Sequence, residues 1–207
     1  MSSGKVGMIV VAITGGLGSG KSTIRRLFEE EGAVGVDADA IARLAVEPGT
    51  EGAERIRIAF GPAFFDLKGH LKREKMAALV FSDQPARKKL EAILHPLIRA
   101  EEARIIEDLS RKCPDAVVAV EIPLLAEGEG RDGYTAVVAV TAPENIRLDR
   151  LVSSGRYSRA GAMARMRSQT TDDERIRLAD FVVDNGGSID DSRRQVVVIM
   201  NALPMEE

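Results

Sequence analysis

The sequence predicts a three-layer α/β fold, a parallel sheet between helices with a helical insertion and a short lid. Three observations predict it. Apolar runs rich in Val, Ile and Ala recur at 8–13, 116–122, 136–140 and 181–184, with helical spacing between them. From about Glu47 to Lys112 the strand signal vanishes and only helical patterns remain. A glycine cluster joins the first apolar run to the first helix.

Met8–Ile13 is continuously apolar rather than alternating, which predicts a central strand buried on both faces. Lys21–Glu31 follows as a helix, with Ile24, Leu27 and Phe28 on one face and Gly32 as its C-terminal stop. Val34–Val36 reads as a second strand, and Asp39 as the N-cap of a helix through Ile41 and Leu44. Helices are expected at Glu51–Phe60, Lys72–Phe81 and Pro85–Lys112, the last kinked or broken at Pro96. Strands resume at Ala116–Ile122, Ala136–Val140 and Phe181–Asp184, and a helix from Ser188 to Ala202 closes the chain. Neither repeats nor low-complexity segments interrupt this order.

Composition narrows the function. The 207 residues carry 29 Lys+Arg against 32 Asp+Glu, a net charge of −3, which argues against a surface built for nucleic acid or anionic membrane. One cysteine, Cys113, excludes an intrachain disulfide and a cysteine-based zinc site. His70 and His95 are too few and too far apart for a histidine metal site. No apolar run approaches the roughly 20 residues that span a bilayer, and no export signal is visible. The expectation is a soluble cytoplasmic protein.

The glycine cluster carries chemistry. Gly15-Gly16-Leu17-Gly18-Ser19-Gly20-Lys21-Ser22 matches G-x-x-x-x-G-K-[ST], the P-loop pattern, in the strand–loop–helix frame the pattern requires. Glycines let successive backbone amides turn inward around phosphates, and the helix N-terminus adds its positive end. Lys21 would reach the β- and γ-phosphates of ATP, and Ser22 would ligate Mg²⁺. Other users of this loop are poor fits. No Asn-Lys pair exists to read guanine, and Asp66-Leu-Lys-Gly69 lies in the helical stretch without a strand before it. The Leu-Ser-Gly-Gly-Gln of ABC-type ATPases is missing, and motor ATPases need a longer module. A compact kinase acting on a small acceptor remains.

In parallel sheets, ligands gather at the carboxyl ends of strands, where Asp37, Asp39 and Glu121 fall. A carboxylate there can accept the proton of an acceptor hydroxyl or hold Mg²⁺ through its water shell. Spacing alone leaves Asp39 open between a plain helix cap and a base, and Glu121 open between a strand-end carboxylate and a ligand contact. Between Arg150 and Thr171 stand Arg150, Arg156, Arg159, Arg165 and Arg167 with no Asp or Glu. That suits a lid closing over ATP, since guanidinium forks bind phosphate oxygens in pairs. A solvated basic helix is the plainer alternative. Nucleic-acid binding fits poorly, because only Tyr157 could stack a base.

These residues resemble the dephospho-CoA kinase family over nearly the whole chain. The resemblance rests on Thr14-Gly-Gly-Leu-Gly-Ser-Gly-Lys-Ser-Thr23, Val36-Asp-Ala-Asp-Ala-Ile-Ala-Arg43, Val46-Glu-Pro-Gly-Thr50 and Phe60-Gly61. It continues through Ala92-Ile-Leu-His-Pro-Leu-Ile-Arg99, Ile122-Pro-Leu-Leu125, Gln169, Ala179-Asp180 and Asp184-Asn-Gly186. The Asp-Ala-Asp, His-Pro-Leu-Ile and Ile-Pro-Leu-Leu blocks are more specific than the P-loop itself.

The resemblance implies transfer of the ATP γ-phosphoryl to the ribose 3′-hydroxyl of dephospho-CoA, with Mg²⁺. It implies a P-loop nucleotide-binding core (6–46 with 114–149 and 172–207), a helical CoA-binding insertion (47–113) and a lid (150–171). By this likeness Asp39 is the base and Lys21 its catalytic partner. Gly15 through Ser22, Thr23, Arg150, Arg156, Asn185 and Gly186 hold ATP. Asp39, His95, Arg99 and Glu121 face the acceptor. Partners would be ATP and dephospho-CoA, without nucleic acid or membrane, in a monomer or weak homo-oligomer. The chain departs from the family pattern in three places. Ala126 stands where an aromatic precedes Glu127, Glu121 replaces a common Asp, and Ser154 stands where the lid carries an arginine. Arg156 is the substitute on offer, and Gly155 and Gly161 loosen this lid. A kinase of the same core with another acceptor, or a nucleotide-binding regulator with weak turnover, are the competing readings.

Overall fold

A computed structural model of the chain describes residues 7–122, 131, 133–155 and 157–204. These separate into two compact units. One runs to Asp37 and resumes at Leu109, and the other spans Ala38–Asp108. The helix through Ala38 thus groups with the helical unit, although the sequence reading counts residues up to 46 with the core.

The first unit is built on five parallel strands in the order β2-β3-β1-β4-β5. They are β1 (Ile9–Gly15), β2 (Val34–Asp37), β3 (Val117–Glu121), β4 (Ala136–Thr141) and β5 (Phe181–Asp184). Every residue of β1 is buried, which is why its sequence is continuously apolar. Ile9, Val11 and Ile13 point to one face, where α1 (Lys21–Glu30) supplies Ile24, Leu27 and Phe28 and α9 (Ile189–Ala202) supplies Val196 and Ile199. Ala12 and Val137 take the opposite face, against Ala179 at the end of α8 (Asp172–Leu178). Each fully buried chain such as Ile13 or Phe28 contributes about 1.5–3 kcal/mol.

The caps follow from composition. Helix α1 ends in a Schellman turn: Gly32, at φ +98°, donates to Glu29 O, and Ala33 donates to Phe28 O at 2.9 Å. Glycine is the residue that takes this left-handed position without strain. Helices α8 and α9 each begin with a capping box, Thr171 with Glu174 and Ser188 with Asp191. The Thr171 amide and hydroxyl hold the Glu174 carboxyl below its ordinary range, and the Ser188 hydroxyl and amide do the same for Asp191. Both carboxyls therefore favour the folded state at neutral pH, and that support is lost as pH falls through the acid range.

Asp39 corrects the expected cap. Strand β2 runs to Asp37 and α2 (Ala38–Leu44) starts at the next residue, so Asp39 lies inside the first turn, not at the N-cap. The junction has no loop residue to spare. Helix α3 (Glu51–Phe60) is capped by Thr50, whose hydroxyl accepts from Ala53 N, and α4 (Arg73–Ser82) follows. The core of this second unit is Val46, Ala53, Ile56, Phe65 and Met76. Helix α5 (Gln84–Lys112) runs on through Pro96, so of the kink or break the proline predicts, the break does not occur. A proline deletes one backbone bond, while Leu90, Ile93 and Leu94 pack the preceding turns onto that core. Among the described residues no helix is long and apolar enough to cross a membrane.

Candidate active site

The loop from Gly15 to Ser22 leaves the carboxyl end of the central strand, between β3 and β4, where the chain's crossovers part to either side. Gly18 at φ +79° and Gly20 at φ +94° turn it back into α1. Gly20 is required twice over: a side chain would be strained at that φ, and its Cβ would fall on the Asn185 amide. Ser19 N donates to Gly16 O at 3.1 Å, closing the loop, and the half-buried Thr23 donates to Gly20 O at 2.9 Å. Among the described residues the amides of Gly16, Gly18 and Gly20 donate to no protein acceptor. Backbone donors left open beside a helix N-terminus are the kind that can take an anion. Lys21 Nζ folds back on the loop, donating to Gly15 O at 3.0 Å and Gly16 O at 3.4 Å.

Leu17 differs. Its amide donates to Gln169 Oε1 at 2.8 Å and its carbonyl accepts from Arg147 Nε at 2.9 Å, so its N–H is already committed within the protein. On α6 (Glu144–Ser153), Arg150 lies one turn beyond Arg147 and donates to Asn185 O at 2.7 Å and, at longer range, to Gly18 O and Ser19 O. The buried Asn185 donates to Ser19 O at 2.8 Å and accepts from Ser192 of α9 at 2.9 Å. Gly186 N donates to Asp184 at 2.8 Å, closing a turn beside Pro143.

A hard-oxygen cluster lies next to the loop. Ser22 Oγ donates to Glu121 Oε1 at 2.9 Å, and Arg25 Nε stands 3.6 Å from Glu121 Oε2. Glu121 is buried, and β2–β3 register sets Asp37 opposite it at the strand ends. A hydroxyl and two carboxylates in this grouping are the donor types that Mg²⁺ takes, directly or through water. The structure thus brings together the loop, Lys21, Ser22, Thr23, Glu121, Arg150, Asn185 and Gly186.

Asp39, His95 and Arg99 belong to the helical unit. Asp39 is exposed in the first turn of α2; on α5, His95 is half-buried and Arg99, one turn later, exposed. In the arginine stretch, α7 (Arg159–Arg167) packs by Ala162, Met163 and Met166 against Leu148 and Leu151. Arg165 lies 5.0 Å over the Tyr157 ring, and Arg159 reaches Asp149 at 3.5 Å. Arg156, Ala126, Glu127 and the Pro123-Leu-Leu125 run lie outside the described residues.

Arg147 escaped the sequence reading. It stands three residues before Arg150, on the same helix face, and an i, i+3 inspection upstream of the arginine stretch would have found it. Arg25 escaped as well, because its value lies in a contact between α1 and β3 that no local pattern records.

Comparison with known proteins agrees with this geometry. Residues 9–191 match the family model described as dephospho-CoA kinase. A dephospho-CoA kinase of Frankia casuarinae is 45% identical over 184 residues, covering 89% of this chain and 79% of the relative. Among solved structures, a Thermus thermophilus protein superposes with TM-score 0.78 at 34% identity, covering 96% of this chain and 98% of the other. The dephospho-CoA kinase from Campylobacter jejuni superposes with TM-score 0.63 at 26% identity, over 95% and 97%.

Proposed function

The chain belongs to the dephospho-CoA kinase family, which phosphorylates dephospho-CoA with ATP in the last step of coenzyme A biosynthesis, and we propose that the residues above divide that work as follows. The inward amides of Gly16, Gly18 and Gly20 and the Lys21 ammonium hold the ATP phosphates. Ser22 would ligate Mg²⁺, with Glu121 and Asp37 orienting its water shell. Such an ion would supply neutralisation of phosphate charge.

Asp39 accepts the proton of the acceptor's ribose 3′-hydroxyl as that oxygen attacks the γ-phosphorus. His95 and Arg99, in the helical unit, bind the acceptor. Arg150, Arg156 and the rest of 150–171 act as the lid that excludes water. Asn185 and Gly186 border the adenine. The observation that carries this reading is the grouping of Lys21, Ser22 and Glu121 at the carboxyl ends of β1 and β3.

The test is a panel of acceptors with ATP and Mg²⁺. ADP release and a 3′-phosphorylated product are expected with dephospho-CoA and not with adenosine or shikimate. Equal turnover on another alcohol would reassign the acceptor, and binding without turnover would favour a regulator.

A further inference from the structure

The apex of the phosphate loop is fastened at three points. The Leu17 amide is held by Gln169 at 2.8 Å and its carbonyl by Arg147 at 2.9 Å. Its side chain packs with Leu148 and Leu151 of α6 and Ala162, Met163 and Met166 of α7. Arg147 is itself held. It is buried, and its Nη1 donates to Asp172 Oδ2 at 2.9 Å, while Asp172 Oδ1 accepts from the buried Arg175 at 3.1 Å. The guanidinium lies against Gly16, where a Cβ would collide with it.

Loops that must present several amides to one ligand lose affinity when a peptide unit is free to flip, because each productive orientation must then be selected at binding. Fixing both the N–H and the C=O of Leu17 removes that freedom at the centre of the loop. The neighbouring Gly16 and Gly18 amides, which donate to no protein acceptor among the described residues, are thereby held in a fixed orientation.

We propose that Arg147 and Gln169 are positioning residues which lock the Leu17 peptide plane, and that Asp172 holds Arg147 for this purpose. Neither side chain needs to touch ATP. The lock also ties the loop to the arginine-rich segment, since Gln169 lies at its C-terminal end and Leu17 is inserted into its apolar underside. This inference rests on the reading that the loop binds the triphosphate.

Three variants test it in the full-length protein: Gln169→Leu, Arg147→Met and their combination, with Lys21→Ala beside them. Gln169 is only half-buried and its loss leaves the Arg147–Asp172–Arg175 contacts intact, so Gln169→Leu is the variant expected to fold normally. Its Kd for ATP, by titration calorimetry, should rise about tenfold, the order of one good hydrogen bond. Its nucleotide-free Tm and its KM for dephospho-CoA should stay near wild type. The double variant should weaken ATP by less than the product of the single effects, because both side chains hold one peptide unit. Unchanged ATP affinity in Gln169→Leu, or fully multiplicative effects, would overturn the lock. If Lys21→Ala weakens ATP while Gln169→Leu does not, the lock fails and the cradle stands. If neither does, the cradle itself is wrong.

Discussion

Asp39→Asn should bind ATP as tightly as the wild type and lose about two to four orders of magnitude in kcat, the range attributed to a positioned general base. The substitution preserves shape and removes only the carboxylate. Asp39 is exposed in the first turn of α2, so neither packing nor a buried ion pair is disturbed and the fold should persist. A helix favours negative charge in its first turn, by about 0.3–1 kcal/mol, so a small loss of Tm is the only structural effect expected. Rapid-quench measurement of the phosphoryl-transfer step, with ATP saturating, separates the base from a binding role. The companion Asp37→Asn, at the β2 end opposite Glu121, should raise the Mg²⁺ requirement and spare more of the chemical step. An unchanged kcat for Asp39→Asn would move the base to Asp37 or Glu121.

Lys21→Ala should lower kcat by about 10²–10³, as expected for one charged donor aimed at a transferring group, and weaken ATP as well. In the structure the ammonium is docked on two loop carbonyls, Gly15 O and Gly16 O. It is therefore stationed at the loop before phosphate arrives, at little entropic cost on binding. Removing it leaves those carbonyls open to water and should not unfold the protein. The readouts are steady-state kinetics and Tm. A fully active Lys21→Ala enzyme would mean that the loop is not the phosphate site.

Most of the sheet was legible because burial on both faces forces continuous apolar runs. The β1 segment and the strands at 117–121 and 136–141 announced themselves in this way, while 181–184, of which only Val183 is buried, was legible from its β-branched run alone. The P-loop was legible because its backbone geometry demands glycine at fixed positions. Two local readings did not hold in full where neighbours outweighed them. Asp39 was expected at a cap, but β2 and α2 abut without a loop. Pro96 was expected to kink or break α5, and the break does not occur, because one missing bond is outweighed by the apolar packing of the turns before it.

The fastening of Leu17 was not legible at all. Gln169 is 152 positions away in the chain and Arg147 is 130, so no spacing pattern connects them to the loop. Such contacts are written in the tertiary fold. The same holds for Arg25 and Glu121, which meet only because β3 is inserted beside β1.

The most direct test observes the loop amides themselves. A ¹H–¹⁵N correlation spectrum of the protein, titrated with a non-hydrolysable ATP analogue and Mg²⁺, reports each backbone N–H. The Gly16, Gly18 and Gly20 amide protons should move strongly downfield as they donate to phosphate, while Leu17, already bonded to Gln169, should move little. Saturable binding that leaves those three glycines in place would show that the nucleotide sits elsewhere.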